Sequence, residues 1–333
     1  MRKYRTIYTD HQSGDRVETE ENKAEKIRLR KKLMTVVGCI LIIGIVTPGS
    51  LAVKTAKRMI HEQAETVLIE QAKAAADMLD KETEAFFQYV EAIAHTPVLK
   101  DPAISNSKKA KIAYEQAAFN NAIRGIVFCN TDGQGFMNSG EKVDVSNEKW
   151  FRAAVSGEHF VSEPAVFSFI DKASLIFAVP IYMGDKITGV LSMIVSSDFF
   201  SKKIESITVG YTGYCFIVGL TGTTIAHRDN RLVEGRYNII PEAATDGSLA
   251  SFKAVMETAL SGQTGAGYYT FMDLSRMAAY TPMQTTGWIL ILTAPEIEFT
   301  GAAKKFTTVI IITGTLLLVV TLIVARVVIR KII

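Results

Sequence analysis

Two stretches of the chain carry no charge at all. Leu33 to Val53 reads LMTVVGCILIIGIVTPGSLAV, 21 residues, and Phe306 to Ala325 reads FTTVIIITGTLLLVVTLIVA, 20 residues. Each is long enough to cross a hydrocarbon core of ~30 Å, so both predict transmembrane helices. A 32-residue polar segment precedes the first, and no small-x-small site follows its outer end, so it reads as a retained anchor and not as a cleaved signal peptide. Between the spans the pattern turns amphipathic. In residues 55–94, Leu68, Ala72, Ala75, Leu79, Phe86, Val90 and Ile93 recur at three- and four-residue steps, the stripe of a helix with one apolar face. That makes a rod of about 60 Å, closed by Thr96-Pro97 and Asp101-Pro102. The stripe suits a scaffold helix packed on its own domain and a dimerising stalk equally well. A second helix is predicted over 107–124.

Beyond it the period shortens to that of strands. RGIVFCNTDGQGFMN places an apolar run before the hairpin signal Thr131-Asp132-Gly133, and YCFIVGLTGTTIAH repeats the plan with Thr221-Gly222. Thr188-Gly189 and Thr286-Gly287 each open an apolar strand, and each follows a strand ending at a proline, AVPIY (178–182) and AYTPM (279–283). Two copies of one α+β unit are implied, at about 103–200 and 210–298, each an antiparallel sheet of about five strands with one face covered by helix.

Charge sets the orientation. Ten Lys and Arg precede the first span and Arg326, Arg330 and Lys331 follow the second, so both termini are expected in the cytoplasm and the intervening region outside it. Residues 33–325 hold 24 basic and 28 acidic side chains, so nucleic acid is not an expected partner. Cys129 and Cys215 alone among the three cysteines fall outside the spans. Two buried apolar thiols are the commoner case, and a disulfide is not demanded by their spacing.

Two spans, a long entering helix, and tandem PAS-like units with W-aromatic-x-x-A (Trp150, Phe151, Ala154), S-E-P (Ser162 to Pro164) and A-x-P-I (Ala178 to Ile181) in the first resemble the double Cache sensor region of bacterial methyl-accepting chemotaxis receptors. The resemblance covers residues 33–325. It implies an α+β fold divided as a cytoplasmic basic tail (1–32), a transmembrane helix (33–53), a stalk helix (54–102), a membrane-distal ligand-binding module (103–200), a membrane-proximal module (201–305), a second transmembrane helix (306–325) and the start of a cytoplasmic relay (326–333). The closing ARVVIRKII resembles the lead-in to a HAMP relay, and the output half is expected to be missing from this chain. The expected setting is the inner membrane, the expected assembly a homodimer, and the expected partners are a small ligand and cytoplasmic signalling proteins.

In that family the ligand sits between the distal sheet and the segment 149–182. The implied site is Glu148, Trp150, Phe151, Ser168, Phe169, Asp171 and Tyr182. The residues themselves agree in kind: aromatics alternate there with Glu163, Ser168 and Asp171, and ligand pockets are mostly apolar with a few placed polar groups. Any single one of these aromatics is more commonly a core residue. The amino-acid-binding subgroup carries an Arg two positions before the Trp, a Tyr after it, a further Tyr beyond S-E-P and an Asp on a later strand. Here those positions hold Glu148, Phe151, Ala165 and Ile194. Without the Arg a ligand carboxylate lacks a bidentate partner, which turns the expectation toward an amine or neutral ligand. The sensor half of a histidine kinase or diguanylate cyclase is the alternative.

An enzyme would need a nucleophile and base or a metal cluster. His61, His95, His159 and His227 show no ligand spacing, and no nucleophile elbow or phosphate loop is present, so neither catalysis nor a cofactor is expected. A purely structural protein would explain the stalk and spans but not a duplicated sheet unit with an aromatic loop.

Overall fold

The computed structural model describes residues 4–332; residues 1–3 and 333, the outer ends of the predicted basic tail and relay, lie outside the described residues. The chain forms two compact units, one from the chain ends up to Glu62 and from Thr300, the other from Gln63–Phe299.

Helix α1, Tyr4–Ala94, runs through the basic segment, the apolar span and the rod, with Pro48 inside it. In the second unit its stripe is consumed: Leu68, Ala72, Leu79 and Val90 are fully buried, and Ala75, Phe86 and Ile93 nearly so. They form one core with residues of both sheets, so the stripe packs within the chain. Two short helices follow, α2 (Pro97–Lys100) and α3 (Asn106–Ala117). The second stops well before the predicted residue 124. The Asn120 side chain accepts from the Ala122 N–H at 3.0 Å, the kind of local bond by which Asn competes with helix, and the chain enters a strand at Ile123.

The first module comprises β1 (Ile123–Cys129), β2 (Gln134–Met137), β3 (Lys142–Asp144), α4 (Lys149–Val155), β4 (Phe160–Val161), β5 (Ser174–Met183) and β6 (Lys186–Ser196), ordered β3-β2-β1-β6-β5-β4. Helix α5 (Phe199–Ile204) leads to the second: β7 (Thr208–Val209), β8 (Gly213–Val218), β9 (Thr224–Ala226), α6 (Asn230–Glu234), α7 (Ile239–Thr245), α8 (Ala250–Ala259), β10 (Gly265–Phe271), β11 (Leu274–Pro282) and β12 (Ile289–Pro295). Its order is β10-β11-β12-β8-β7, with β9 also on β8. With β3 and β7 set aside, both sheets read first hairpin, last strand, then the two strands between, all antiparallel. One unit is thus duplicated down to its hairpin turns: Gly133 and Gly222 both take φ +86°, a left-handed conformation that favours glycine.

The sheets alternate cleanly. Ile126, Phe128, Phe177 and Leu191 of the first, and Cys215, Ile217, Leu290 and Leu292 of the second, share the core built on α1. Residues one position away, Val127, Cys129 and Ile176 in the first and Phe216, Val218 and Ile291 in the second, enter separate clusters on the opposite faces. Both faces of each sheet are therefore covered, not one, which explains why β5 reads as a nearly continuous apolar run. Rings tie the first module to α1 and to the second module: Phe177 meets Phe86 of α1 at 4.5 Å, and Phe200 meets Trp288 at 5.3 Å.

Polar clamps fix the joints. Asp80 on α1, itself buried, accepts from the backbone N–H groups of Gln284 (2.8 Å) and Thr285 (2.9 Å) in the turn before β12. The S-E-P turn of the first module meets the second, where Arg236 donates to the Pro164 carbonyl and lies 3.5 Å from the Glu163 carboxylate. Strand β12 runs directly into α9 (Glu296–Ile332). Glu296 accepts from the Ser275 hydroxyl (2.6 Å), and Glu298 accepts from the Thr212 hydroxyl (2.6 Å) and the Tyr211 N–H (2.6 Å).

In the first unit, α1 and α9 each hold a segment long and apolar enough to cross a membrane. The two lie side by side. A Cβ on Gly38 would come within 3.9 Å of Leu322 and one on Gly314 within 3.8 Å of Ile45, ordinary van der Waals distances.

Candidate functional site

The opposite face of the first sheet is the place that the sequence marks. Glu148 ends the preceding turn, where its N–H bonds to the Val145 carbonyl, and stands as the N-cap of α4 without a capping side-chain bond. One turn of helix then lays Trp150, Phe151 and Ala154 on the sheet, against Val127, Cys129, Ile176, Ala178, Val190 and Ile194. Trp150 is 1 % exposed and Phe151 4 %; their rings meet edge-on at 6.3 Å. Burial in this apolar surround pushes the Cys129 thiol well above its ordinary range, so it packs as a small apolar group.

The loop after S-E-P covers the same face. It is anchored at its base by Ser162, whose hydroxyl accepts from the Ile176 N–H at 2.9 Å, and by a bridge between Ala165 and Ser174. Phe167 and Phe169 stack at 5.8 Å and, with Ile170, pack half-buried against the Trp150 cluster. Ser168 and Asp171, which alternate with them, are exposed and are not brought to the cluster. The alternation that suggested them as polar contacts points them outward. Tyr182 is half-buried near the end of β5, its hydroxyl 3.3 Å from where a Cβ on Gly157 would stand, just past α4.

Of the predicted set, Trp150, Phe151 and Phe169 are thus brought together, Glu148 and Tyr182 flank them at the two ends of α4, and Ser168 and Asp171 stand apart. One feature of the cluster is polar and unsatisfied: the Trp150 Nε1–H is buried with no acceptor among the described residues. A buried donor left without a partner costs free energy that a matching acceptor would restore. Among the described residues no group of three His, Cys, Asp or Glu could hold a metal.

Duplicated PAS-like sheets packed on one long helix, with a segment apolar enough to cross a membrane in each of α1 and α9, set the class of the protein. The Cache domain family matches residues 56–303, and the chain belongs to that family. Its matched region is a chemoreceptor-type ligand-binding sensor domain. The methyl-accepting chemotaxis protein PscA of Pseudomonas syringae is 25% identical over 175 residues, covering 50% of this chain and 27% of its own length, so the chain spans about a quarter of that relative. The ligand-binding domain of the Pseudomonas aeruginosa amino-acid chemoreceptor PctB, solved with L-Arg, superposes with TM-score 0.54 at 18% identity, over 71% of this chain and 96% of that one. That of Pseudomonas fluorescens CtaA with L-leucine gives 0.55 at 16% identity, over 73% and 99%. The extracellular domain of the histidine kinase mmHK1S-Z3 gives 0.56 at 14%, over 74% and 98%.

Proposed function

We propose that the chain is the sensor region of a transmembrane chemoreceptor, binding a small extracytoplasmic ligand on the Trp150 face of the first module. It acts by binding and not by catalysis. Both termini lie in the cytoplasm, the protein crosses the cell membrane twice, and it works as a homodimer. The observation that carries the reading is the buried Trp150 Nε1–H, without an acceptor among the described residues, at the centre of an aromatic face under the loop that follows S-E-P. The chemoreceptor relatives, solved with amino acids, support a small polar ligand.

The ligand is one that is not clamped through a carboxylate. Glu148 stands where the amino-acid binders carry Arg, so an amine or a neutral compound with an acceptor for Trp150 fits the site better than an α-amino acid. A ligand moves the equilibrium only by binding two arrangements unequally. The route outward runs through the S-E-P turn to Arg236, through Asp80 to the turn before β12, and from β12 into α9. Helix displacements of ~1–2 Å are typical of such switching, and the output is a cytoplasmic chemotaxis machinery. The likeness to a histidine kinase sensor supports a second reading, in which the same displacement drives phosphotransfer.

Calorimetry on the full chain in lipid nanodiscs, with amines, amino acids and organic acids, tests the proposal. At least one amine or neutral compound should bind, with affinity reduced in Trp150→Phe. Binding only of free α-amino acids, unaffected by Glu148→Gln, would overturn the ligand class. Full affinity in Trp150→Phe would overturn the site.

A further inference from the structure

The opposite face of the second sheet encloses a cavity of about 490 Å³, within the range of small-molecule sites. Its place in the duplicated unit is that of the Trp150 face in the first. Phe216 and Val218 on β8 correspond to Val127 and Cys129 on β1, and α7 and α8 cover the sheet as α4 does. The walls, however, are far more aromatic. Phe252 stacks on Tyr269 at 4.4 Å and 16°, Phe216 meets Phe252 at 6.5 Å, and Tyr214 and Phe216 stand edge-on to His227 at 5.3 and 6.0 Å. Rings set in this way offer faces and edges to a flat guest.

Two of the polar groups at the cavity, Arg228 and His227, are donors. The Arg228 guanidinium lies 4.0 Å over the Tyr214 ring and has no carboxylate partner among the described residues. His227 Nδ1 accepts from the Asp229 N–H at 2.9 Å, which leaves the ring proton on Nε2, and that N–H has no acceptor among the described residues. Burial holds the His227 pKa below its ordinary value, against the pull of the Asp229 bond, so the ring is a neutral donor at pH 7. Among the described residues the only acidic one at the cavity, Asp229, is engaged on both oxygens by Arg231, at 2.9 and 2.7 Å. The buried Arg276 adds positive charge behind Tyr214, 5.1 Å from its ring. At the mouth, the β10–β11 turn holds Met272 at φ +50°, a conformation a side chain rarely adopts, and leaves it 85 % exposed.

We propose that the second module carries its own binding site, for a planar aromatic carboxylate. The ring lies against Phe252 and Phe216, beneath Met272, and the carboxylate bonds to Arg228 and the His227 Nε2–H. Because β12 passes under this cluster through Ile289 and Ile291 before entering α9, the site is a second input that acts on the exit helix without passing through the first module.

The test uses the full chain in nanodiscs and 2-naphthoate as the probe, measured by calorimetry. Expected is saturable binding, weakened by about tenfold or more in Arg228→Gln and in Phe252→Leu and unchanged in Trp150→Phe. Neutral 2-naphthamide and the saturated decahydro-2-naphthoate should bind at least about tenfold more weakly. Arg228 is exposed, so its substitution leaves the core intact. No binding at millimolar probe, equal affinity in Arg228→Gln, or equal affinity for the amide would overturn the proposal. Loss in Trp150→Phe with retention in Arg228→Gln would place the probe in the first module, overturning this site while leaving that one standing.

Discussion

Asp80→Ala cuts the joint between the long helix and the turn that precedes β12. Asp80 is 7 % exposed, and its two carboxylate oxygens accept the Thr285 and Gln284 N–H groups at 2.9 and 2.8 Å. Hydrogen bonds to a charged group contribute ~1.5–3 kcal/mol each, at the upper end when a donor is left buried. Gln284 is exposed, so water reaches its amide after truncation, while Thr285 is half-buried. We therefore set the loss at about 3 kcal/mol in all. For a unit of this size each kcal/mol lowers Tm by ~2–4 °C, giving a drop of roughly 6–12 °C. Asp80→Asn retains one acceptor oxygen and the shape of the side chain, and should lose about half as much. Thermal unfolding of the detergent-solubilised chain, followed by circular dichroism, reads these shifts. Glu70→Ala is the control, since the Glu70–Lys73 pair on the same helix is exposed on both sides and contributes less than ~0.5 kcal/mol. If Asp80→Ala unfolds with Glu70→Ala, or Asn is as damaging as Ala, the clamp does not hold the turn and the reasoning fails.

Three further outcomes are expected. Burial raises the Glu298 pKa, but the Thr212 hydroxyl and the Tyr211 and Thr212 N–H groups outweigh it and hold the carboxyl below its usual value; the depressed pKa means that the clamp stabilises above the ordinary carboxylate range and is lost as pH falls. The stability difference between the native chain and Glu298→Gln, under ~1 kcal/mol for such a group, should therefore shrink as pH falls below the ordinary glutamate range and disappear once pH passes below the lowered pKa, and a difference that grows on acidification would contradict this. Gly133→Ala should cost more than Gly184→Ala, because both have φ above +50° but a Cβ at 133 would stand 2.6 Å from Ser146 while that at 184 meets nothing within 4 Å; roughly 1–2 kcal/mol is due to the conformation alone, and urea titration ranks the two. Reporter fusions at Gly140 and Gly235 should report the outside of the cell and one after Lys331 the cytoplasm, and the reverse pattern would invert the topology.

Periodicity made much of this fold legible. The uncharged runs, the four-and-three stripe of α1 and the two Thr-Gly hairpins are local signals, and the repeat emerges by comparing them. What stayed hidden depends on long-range pairing. The stripe from Leu68 to Ile93 announces an apolar partner without saying whose, and the partner proved to be the chain's own sheets. Asp80 reads as a solvated charge until the fold brings it to Gln284, more than two hundred residues on. At the candidate site, Trp150, Phe151 and Phe169 were visible as aromatics flanking a turn, whereas the exposure of Ser168 and Asp171 was not, because a loop has no fixed period to say which way alternate residues face. The second-module cavity left only a trace, the alternate aromatics Tyr214 and Phe216 on β8 and Tyr269 and Phe271 on β10. Those strands are separated in the sheet by β11 and β12, and nothing local indicates that helix α8 sets Phe252 between them.

Trp150 is the centre of the proposed site, and substitution alone tests it poorly: the ring is core, so Trp150→Ala should cost ~3–5 kcal/mol and confuse folding with binding. The chain has only two tryptophans, Trp150 and Trp288, so the indole N–H resonances of the ¹⁵N-labelled protein in nanodiscs form a two-peak spectrum, assigned with Trp288→Phe. Titrated with a compound that calorimetry shows to bind, the Trp150 indole signal should move downfield as its Nε1–H gains an acceptor, while that of Trp288, buried in the core shared by both modules, stays in place. A ligand that saturates the protein and leaves the Trp150 indole unmoved would contradict the assignment of the site.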